Sequence, residues 1–286
     1  MKLILVFGKN GQVGSELSKY HENTCLSSKD FDFKNPLLFK EIINKYSPSA
    51  VINAAAYTNV DGAEDEEKLA YTINALSPRE LSKACSELNI PLIHISTDYV
   101  FDGSGDSAKK ENDKANPISI YGLSKYKGEQ NVINSGGQTV ILRTSWVFSS
   151  HGKNFVKTMI NLSKNNKIIK VINDQFGAPT SAKSIAQACM EIISKMQKDK
   201  NLSGIFHFTG YPNVSWACFA EEIFRITGKN TCVEYIKTSE FQSKAKRPLN
   251  SKLNCDKVYN EIGINKSLWK EDLIDVLNEI GANRND

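Results

Sequence analysis

The sequence predicts an α/β fold in which a doubly wound parallel sheet is followed by a smaller C-terminal lobe. Three observations support this prediction. A short apolar run at the start of the chain leads directly into a glycine-rich segment, GKNGQVG, at residues 8–14. Further apolar runs alternate with helical patterns of about ten or more residues, as in right-handed β-α-β crossovers. After Trp146 this alternation gives way to shorter and less regular elements.

The elements of the first half, residues 1–146, follow from hydrophobic periodicity and from the positions of glycine and proline. Residues 2–7 predict a strand that is buried on both faces, and a helix from about Gly11 to Tyr20 follows the glycines. The sequence then predicts a weak strand at 24–27, a helix after Pro36 through Tyr46, a strand at 50–53, a helical stretch over 64–88 with a break at Ser77-Pro78, a strand at 91–96, a helix over 121–134 and a strand at 139–143.

The second half, residues 147–286, has a looser pattern. It predicts a helix over 154–164, a strand at 168–172, a loop at 173–180, a helix over 181–196, a strand at 205–208, a helix over 215–226 and a final helix near 268–280. We assign this half mainly to a substrate-binding lobe. The pattern leaves open whether some of its strands rejoin the main sheet.

Length and composition are those of a globular protein with one or two domains. The 286 residues are 40% hydrophobic and 24% charged, and the net charge is +4. The lysines are scattered and are not interleaved with aromatic residues, so we expect no nucleic-acid partner. No apolar run approaches the ~18 residues of a membrane span, and the start leaves no room for a signal peptide. We therefore expect a cytoplasmic protein without a membrane contact.

Cysteines and histidines show no spacing typical of a disulfide framework or a metal site. The six cysteines are at positions 25, 85, 189, 218, 232 and 255, and several fall within helical patterns. We interpret them as reduced, structural thiols. The four histidines, at positions 21, 94, 151 and 207, are interpreted as packing or surface residues, and no metal is predicted.

The glycine-rich segment predicts a dinucleotide-binding loop of the Rossmann type. Its glycines at positions 8, 11 and 14 allow a tight turn, a close approach of the backbone to a pyrophosphate, and close packing of the next helix. The N-terminus of that helix offers unpaired N–H groups and a partial positive charge to the phosphates. Because the segment lies between a strand and a helix, residues 1–146 are predicted to form the dinucleotide-binding domain.

The choice between NAD and NADP depends on side chains near the end of the second strand, and these conflict. An acid there binds the ribose 2′-hydroxyl of NAD, and a basic residue accepts the 2′-phosphate of NADP. Asp30 and Asp32 favour NADH, whereas Lys29, and Lys9 within the glycine loop, favour NADPH. We prefer NADPH slightly and keep NADH as the alternative.

The pair Tyr121 and Lys125 predicts proton transfer to a carbonyl that is being reduced. Residues four apart on a helix face the same way. An unperturbed phenol titrates near ~10, and a neighbouring ammonium lowers that pKa toward the working range. Lys125 is placed for this and for a bond to the nicotinamide ribose, while Thr97, at the end of a strand, is placed to orient the substrate oxygen.

Seven segments together carry a resemblance to a known family. They are residues 8–14 (GKNGQVG), 51–61 (VINAAAYTNVD), 96–101 (STDYVF), 121–125 (YGLSK), 143–148 (RTSWVF), 173–180 (NDQFGAPT) and 247–253 (RPLNSKL). The chain resembles the extended short-chain dehydrogenase/reductases, and within them the dTDP-4-dehydrorhamnose reductase family. The resemblance covers nearly the whole chain, and the blocks at 143–148 and 173–180 are its most specific parts.

The resemblance implies reduction of the 4-keto group of dTDP-4-dehydro-6-deoxy-L-mannose to dTDP-L-rhamnose, with Thr97, Tyr121 and Lys125 as the catalytic residues. It implies that the cofactor is bound by Gly8, Asn10, Gly11, Gln12, Val13, Gly14, Asp32, Phe33, Ala55, Ala56, Tyr57, Tyr121 and Lys125. It implies that the dTDP-linked keto-sugar is bound by Thr97, Asp98, Trp146, Arg247 and Asn250.

Some relatives bridge two subunits through a carboxylate-bound metal. Glu16 matches one such position, but Lys183 occupies another, so we expect no metal here. The resemblance is compatible with a monomer or a homodimer. Two alternatives stay open from the sequence. One is reduction of another nucleotide-linked 4-keto sugar, and the other is a non-catalytic nucleotide-binding subunit, as in the regulatory subunit of methionine adenosyltransferase.

Overall fold

A computed structural model describes residues 3–282 of the chain, so Lys2 of the predicted first strand lies outside the described residues. The strands are β1 Ile4–Phe7, β2 Asn23–Leu26, β3 Ala50–Asn53, β4 Leu92–Thr97, β5 Thr139–Thr144, β6 Val147–Phe148, β7 Ile168–Ile172, β8 Phe176–Gly177, β9 Thr180–Ser181, β10 Gly204–His207, β11 Gly210–Tyr211, β12 Val214–Ser215, β13 Cys232–Ile236 and β14 Ser267–Leu268.

The α-helices are α1 Gln12–Leu17, α2 Phe39–Tyr46, α3 Val60–Ala63, α4 Glu67–Tyr71, α5 Ser77–Glu87, α6 Ile120–Asn134, α7 Phe155–Ser163, α8 Ala182–Lys198, α9 Trp216–Ile226 and α10 Trp269–Glu279. Short 3₁₀ turns occupy Pro36–Leu38, Asp98–Val100 and Thr238–Glu240, and π-helical turns occupy Thr72–Leu76 and Val258–Ile262. Within residues 3–282, no helix combines the length and the hydrophobicity that crossing a bilayer requires.

Six strands form one parallel sheet in the order β10-β5-β4-β3-β1-β2. From β1 the chain first moves outward to β2 and then returns to add β3 on the opposite side of β1. The strand order therefore reverses between β1 and β3, and this reversal opens a crevice at the carboxyl ends of the strands. The predicted doubly wound parallel sheet is confirmed.

Helices cover both faces of this sheet, which explains why its central strands are continuously apolar. Successive residues of a strand point to opposite faces. Val6 and Ile52 pack with α8 on one face, whereas Leu5, Phe7 and Val51 pack with α2 and α5 on the other. The central strands therefore lack the alternation of apolar and polar residues that a solvent-facing sheet would show.

Part of the second half of the chain belongs to this main sheet. Strand β10 pairs with β5 in parallel, and α8 packs on α1 and contributes Ile185 and Ile192 to the core beneath the sheet. A strand from the second half therefore does rejoin the sheet, which the sequence left open.

The remaining C-terminal elements form a core of their own. Helices α7, α9 and α10 pack around the parallel pair β7–β13, with Phe219 and Trp269 fully buried between them. The Trp269 indole N–H donates a hydrogen bond to the Pro212 carbonyl at 2.8 Å. The segment that leads into α7, residues 152–154, lines the crevice at the carboxyl ends of the main strands.

Two helix predictions need correction. The helix predicted from Gly11 to Tyr20 ends at Leu17, where the Asn23 side-chain amide donates to the carbonyl of that residue at 2.8 Å. At Ser77-Pro78, where a break or restart is predicted, α5 starts without a break in the chain of helical turns, because the helix passes from α4 into α5 through the π-helical turn 72–76. A wider turn just before proline accommodates its missing N–H and its ring without ending the helix.

Candidate active site

An open cleft of about 940 Å³ lies at the carboxyl ends of the parallel strands, where the strand order reverses. It extends from the glycine loop to the C-terminal lobe. Most of the site residues expected from the sequence line this cleft: Gly8, Asn10, Gly11, Gln12, Val13, Asp32, Phe33, Ala55, Ala56, Thr97, Asp98, Tyr121, Lys125 and Trp146. The topology thus brings together residues that are far apart in the sequence.

The glycine loop has the geometry that a pyrophosphate site requires. Gly8 has a φ of +100° and lies against the backbone of Ala54, so a side chain there would be both strained and in collision. A Cβ atom on Gly14 would lie 2.0 Å from the Gly8 carbonyl oxygen, which explains why α1 starts so close to the loop. The loop, the start of α1 and the length of the cleft fit a nicotinamide dinucleotide.

Four expected site residues do not line the cleft: Gly14, which packs against the backbone of the glycine loop, and three residues whose side chains bond elsewhere. The Tyr57 hydroxyl donates to the Glu66 carboxylate. The Arg247 guanidinium holds Asp61 in two hydrogen bonds, of 2.6 and 3.2 Å. The Asn250 amide donates to two carbonyl oxygens of the 105–107 loop, both at 2.8 Å. In this structure the three side chains are engaged in protein contacts, so a role in ligand binding requires them to change partners.

Only one of the side chains expected to decide the cofactor, Asp32, lines the cleft at the adenine end. The Asp30 carboxylate accepts hydrogen bonds from the backbone and hydroxyl of Ser27, so it closes a local turn. Neither Lys9 nor Lys29 lines the cleft, whereas Ser28 and Lys34 do. The Ser28 hydroxyl and the Lys34 ammonium are suitable partners for a 2′-phosphate, whereas the Asp32 carboxylate suits a ribose 2′-hydroxyl.

Thr97 and Asp98 lie at the end of β4 and are almost fully buried. The Thr97 hydroxyl donates to the Asp98 carboxylate at 3.2 Å and accepts the backbone N–H of Tyr99 at 3.2 Å. Burial raises the pKa of the Asp98 carboxyl from 3.8 to about 6, although hydrogen bonds from Ser251 and Thr97 oppose this shift. Near neutral pH the charged form of Asp98 therefore destabilises the folded protein. Carboxyl groups with such raised pKa values are typical of functional sites.

Tyr121 lies on the first turn of α6 and faces the cleft beside Thr97. Burial raises the pKa of its phenol to about 12, a side-chain hydrogen bond with Thr97 lowers it in part, and the charge of Asp98 raises it further. The expected lowering by Lys125 is therefore not what the structure shows. At neutral pH the phenol is protonated, which is the form that donates a proton to a carbonyl oxygen.

Lys125 is buried one turn further along α6. Its ammonium donates to the Ile95 carbonyl at 2.7 Å, which fixes the side chain beneath the cleft. Burial lowers the pKa of this ammonium from 10.5 to about 8, and the charge of Glu129 partly restores it. The group is thus charged at neutral pH and close to its titration range.

Trp146 lines the cleft where the main sheet meets the C-terminal lobe. Its φ is +49°, a left-handed conformation that non-glycine residues rarely adopt. Its indole stacks on that of Trp216, with ring centroids 3.6 Å apart and an interplanar angle of 11°. The ring is therefore fixed by contacts on the side of the lobe.

The sequence did not reveal the loop at 149–154, which closes one side of the cleft. Gln12 connects this loop to the glycine segment, because its side-chain oxygen accepts from Ser149 and from Asn154, both at 2.9 Å. Gly152, Lys153 and Asn154 line the cleft. The only signal in the sequence was a polar, glycine-containing segment before a helix, which is typical of many loops.

A group of possible cation ligands lies outside the cleft. One ligand atom from each of Glu16, His151 and Glu279 lies within 4.8 Å of the others. The Lys19 ammonium is 2.8 Å from Glu16 and 3.5 Å from Glu279, so one positive charge already pairs with both carboxylates. Lys183, whose position we compared with a metal ligand, pairs with Asp275 at 2.8 Å.

Comparison with known proteins identifies the family. The family model described as the RmlD substrate binding domain matches residues 1–282. The dTDP-4-dehydrorhamnose reductase of Aggregatibacter actinomycetemcomitans is 38% identical over an alignment of 286 positions, which covers 96% of this chain and 97% of that protein. The chain belongs to the dTDP-4-dehydrorhamnose reductase family. The predicted family and enzyme class are confirmed.

Solved structures of this family have the same fold over nearly the whole chain. The crystal structure of a dTDP-4-dehydrorhamnose reductase from Clostridium acetobutylicum superposes with a TM-score of 0.90 at 39% identity and covers 97% of this chain and 99% of that one. The enzyme of the same name from Bacillus anthracis, solved in complex with NADP, gives a TM-score of 0.91 at 33% identity, again covering 97% and 99%.

Proposed function

We propose that the protein reduces the 4-keto group of dTDP-4-dehydro-6-deoxy-L-mannose to dTDP-L-rhamnose, with NADPH as the preferred reductant. The observation that carries this proposal is the convergence of Thr97, Tyr121 and Lys125 at one end of the dinucleotide cleft, beside Trp146. The names of the relatives supply the substrate, and the NADP complex of one of them supports the cofactor.

The reaction adds a hydride to C4 and a proton to its oxygen. NADPH, when bound along the glycine loop, supplies the hydride. Thr97 and Tyr121 present hydroxyl groups to the carbonyl oxygen, and Tyr121 gives up its proton as negative charge develops there. The Lys125 ammonium, one helical turn away, stabilises the phenolate that remains.

The rest of the cleft orients the sugar nucleotide. Asp98 accepts hydrogen bonds from sugar hydroxyls, and the flat face of Trp146 packs against the sugar ring. Arg247 is a candidate for the diphosphate because a guanidinium fork suits that group, but it must first leave Asp61. We assign the elements around β7–β13 to the substrate lobe, and β10 and α8 to the dinucleotide-binding domain.

The decisive experiment measures NADPH oxidation with the dTDP-linked keto-sugar. We expect turnover by the wild-type protein, and a loss of about 10²–10⁴-fold for Tyr121→Phe. Binding of NADPH to this variant, followed by fluorescence, serves as the control because the phenol is not needed for the pyrophosphate contacts. Wild-type protein that binds NADPH but reduces no keto-sugar would favour the non-catalytic alternative.

Two further measurements complete the assignment. Kinetic constants with NADH and NADPH test the cofactor preference that we infer from Ser28 and Lys34. Assays with other nucleotide-linked 4-keto sugars, with the configuration of each product determined by NMR, test the alternative substrate. A cytoplasmic location and a monomeric or dimeric state stay predictions.

A further inference from the structure

The two most specific sequence blocks, 143–148 and 173–180, form one structural unit around Trp146. Strand β6 pairs in parallel with β9, and the Thr180 backbone N–H donates to the Trp146 carbonyl at 3.2 Å. One residue earlier, the Ser145 hydroxyl donates to the Ala178 carbonyl at 3.0 Å. The 173–180 loop therefore holds the backbone on both sides of this tryptophan.

Gly177 forms the contact between this loop and the indole. A Cβ atom on Gly177 would lie 2.8 Å from Cε2 and 3.0 Å from Cζ2 of Trp146. The backbone of Gly177 is not left-handed, so its conformation would accept alanine without strain. Packing and not the turn therefore requires the absence of a side chain: the Trp146 ring is nearest, and the Cβ of Ser251 would also lie 3.0 Å away.

Trp216 stacks on one face of the same ring. The two indoles are nearly parallel with centroids 3.6 Å apart, and Phe155 supports Trp216 at 4.6 Å. Trp216 is the first residue of α9. The N-cap residue of this helix, Ser215, accepts the Cys218 N–H at 3.1 Å and donates to the Asn173 side chain at 2.6 Å. The start of α9 is thus anchored to the same loop.

The backbone of Trp146 needs this support. A left-handed conformation at a bulky residue persists only when its surroundings impose it, and such residues cluster at functional sites. Four contacts impose it together: the hydrogen bond of the Ser145 hydroxyl, that of the Thr180 backbone N–H, the contact with Gly177 and the stack on Trp216. The ring presented to the cleft is thereby held in one orientation.

We propose that the 173–180 loop and Trp216 form a socket that fixes the Trp146 indole against the sugar of the substrate, and that Gly177 and Trp216 are positioning residues for substrate specificity. The substrate part of this inference rests on the proposed function. The socket itself does not, because it can be measured in the free protein.

The first readout is the exciton couplet that two stacked indoles give in far-UV circular dichroism. We expect the wild-type protein to show it and Trp216→Leu to lose it. Gly177→Ala should weaken it, because the added methyl group displaces the Trp146 ring. Two controls should keep it: Trp269→Phe, which removes an indole outside the stack, and Phe176→Leu, which changes a half-exposed ring on the same loop.

The second readout separates binding of the sugar from binding of the cofactor. For Gly177→Ala and Trp216→Leu we expect KM for the keto-sugar to rise roughly three- to tenfold, the size of one aromatic packing contact, while KM for NADPH stays unchanged. Trp216→Phe keeps a flat ring behind Trp146. It should therefore lose the couplet but retain a KM close to that of the wild type.

The possible outcomes test separately whether the socket exists and whether it positions Trp146 for the substrate. A couplet that survives Gly177→Ala and Trp216→Leu refutes the socket. Two results refute the positioning role. One is a KM for the keto-sugar that stays unchanged in both of these variants although the couplet is lost. The other is an equal rise in the KM for the keto-sugar and the KM for NADPH. If the wild-type protein reduces no keto-sugar, the proposed function and the substrate role fail together, whereas loss of the couplet in the variants still supports the socket.

Discussion

Replacing Asp98 by asparagine should make the protein more stable near neutral pH while impairing its activity. Asp98 is 3% exposed, and burial raises its pKa from 3.8 to about 6. Each pKa unit corresponds to about 1.4 kcal/mol, so the folded state at pH 7.5 holds this carboxylate at a cost of about 3 kcal/mol. Asparagine has nearly the same shape and no charge, so it removes this cost.

The sign of the pH dependence follows from proton binding. Below pH 3.8 the carboxyl is protonated in both the folded and the unfolded state, so it contributes no difference. Between pH 3.8 and about 6 the folded state binds more protons than the unfolded state, and stability falls as pH rises. Above pH 6 the full cost applies. The advantage of Asp98→Asn should therefore be largest above pH 6 and should disappear toward pH 4.

Urea unfolding at a series of pH values measures this effect. We expect the free energy of unfolding of Asp98→Asn to exceed that of the wild type by up to about 3 kcal/mol at pH 7.5. The amide oxygen of the substituted side chain can still accept from the Thr97 hydroxyl, so the bond seen in the wild type is kept. A variant less stable than the wild type at pH 7.5, or an advantage independent of pH, would refute the reasoning.

Three other predictions concern separate parts of the molecule. Gly14→Ala puts a Cβ atom 2.0 Å from the Gly8 carbonyl oxygen, so NADPH affinity, measured by fluorescence titration, should fall at least about tenfold; unchanged affinity would contradict the packing argument. Arg143→Met leaves Glu129 buried and unpaired and should cost about 3–5 kcal/mol in urea unfolding, whereas the double variant with Glu129→Leu should recover most of this loss. The pKa of Lys125 is about 8, so kcat/KM should decline as pH rises through 8 and the ammonium is lost; a profile flat to about pH 10 would exclude a role for its charge.

The main sheet could be predicted because its strands carry a local signal. β1, β3, β4 and β5 are apolar on both faces, and helices cover both faces of the sheet. Six strands have only two residues and therefore cannot show an alternation of apolar and polar side chains: β6, β8, β9, β11, β12 and β14. β13 has strand-forming residues but was not predicted, because it is short and lacks a regular alternation of apolar and polar residues. The π-helical turn before Pro78 could not be predicted for another reason. Proline normally signals the end of a helix, and the sequence gives no sign that a wider turn accommodates it here.

The candidate site could be predicted where chemistry depends on local spacing. The glycine loop and the pair Tyr121 and Lys125 are read from short segments, and both line the cleft. The pKa of Tyr121 could not be predicted, because burial depends on tertiary packing and outweighs the expected effect of the lysine. The stack of Trp146 on Trp216 joins residues far apart in the sequence, and no local pattern encodes it.

The return of the chain to the main sheet has a consequence for synthesis. β10 is the partner of β5, but the helices α7 and α8 and the strand β7 precede it in the chain. On the ribosome, where the N-terminal region emerges first, the edge of β5 stays unpaired until residue 207 has emerged, and the surface under α8 stays exposed until that helix has formed. A fragment that ends at residue 146 would keep that edge and that apolar surface open permanently, and we expect it to aggregate.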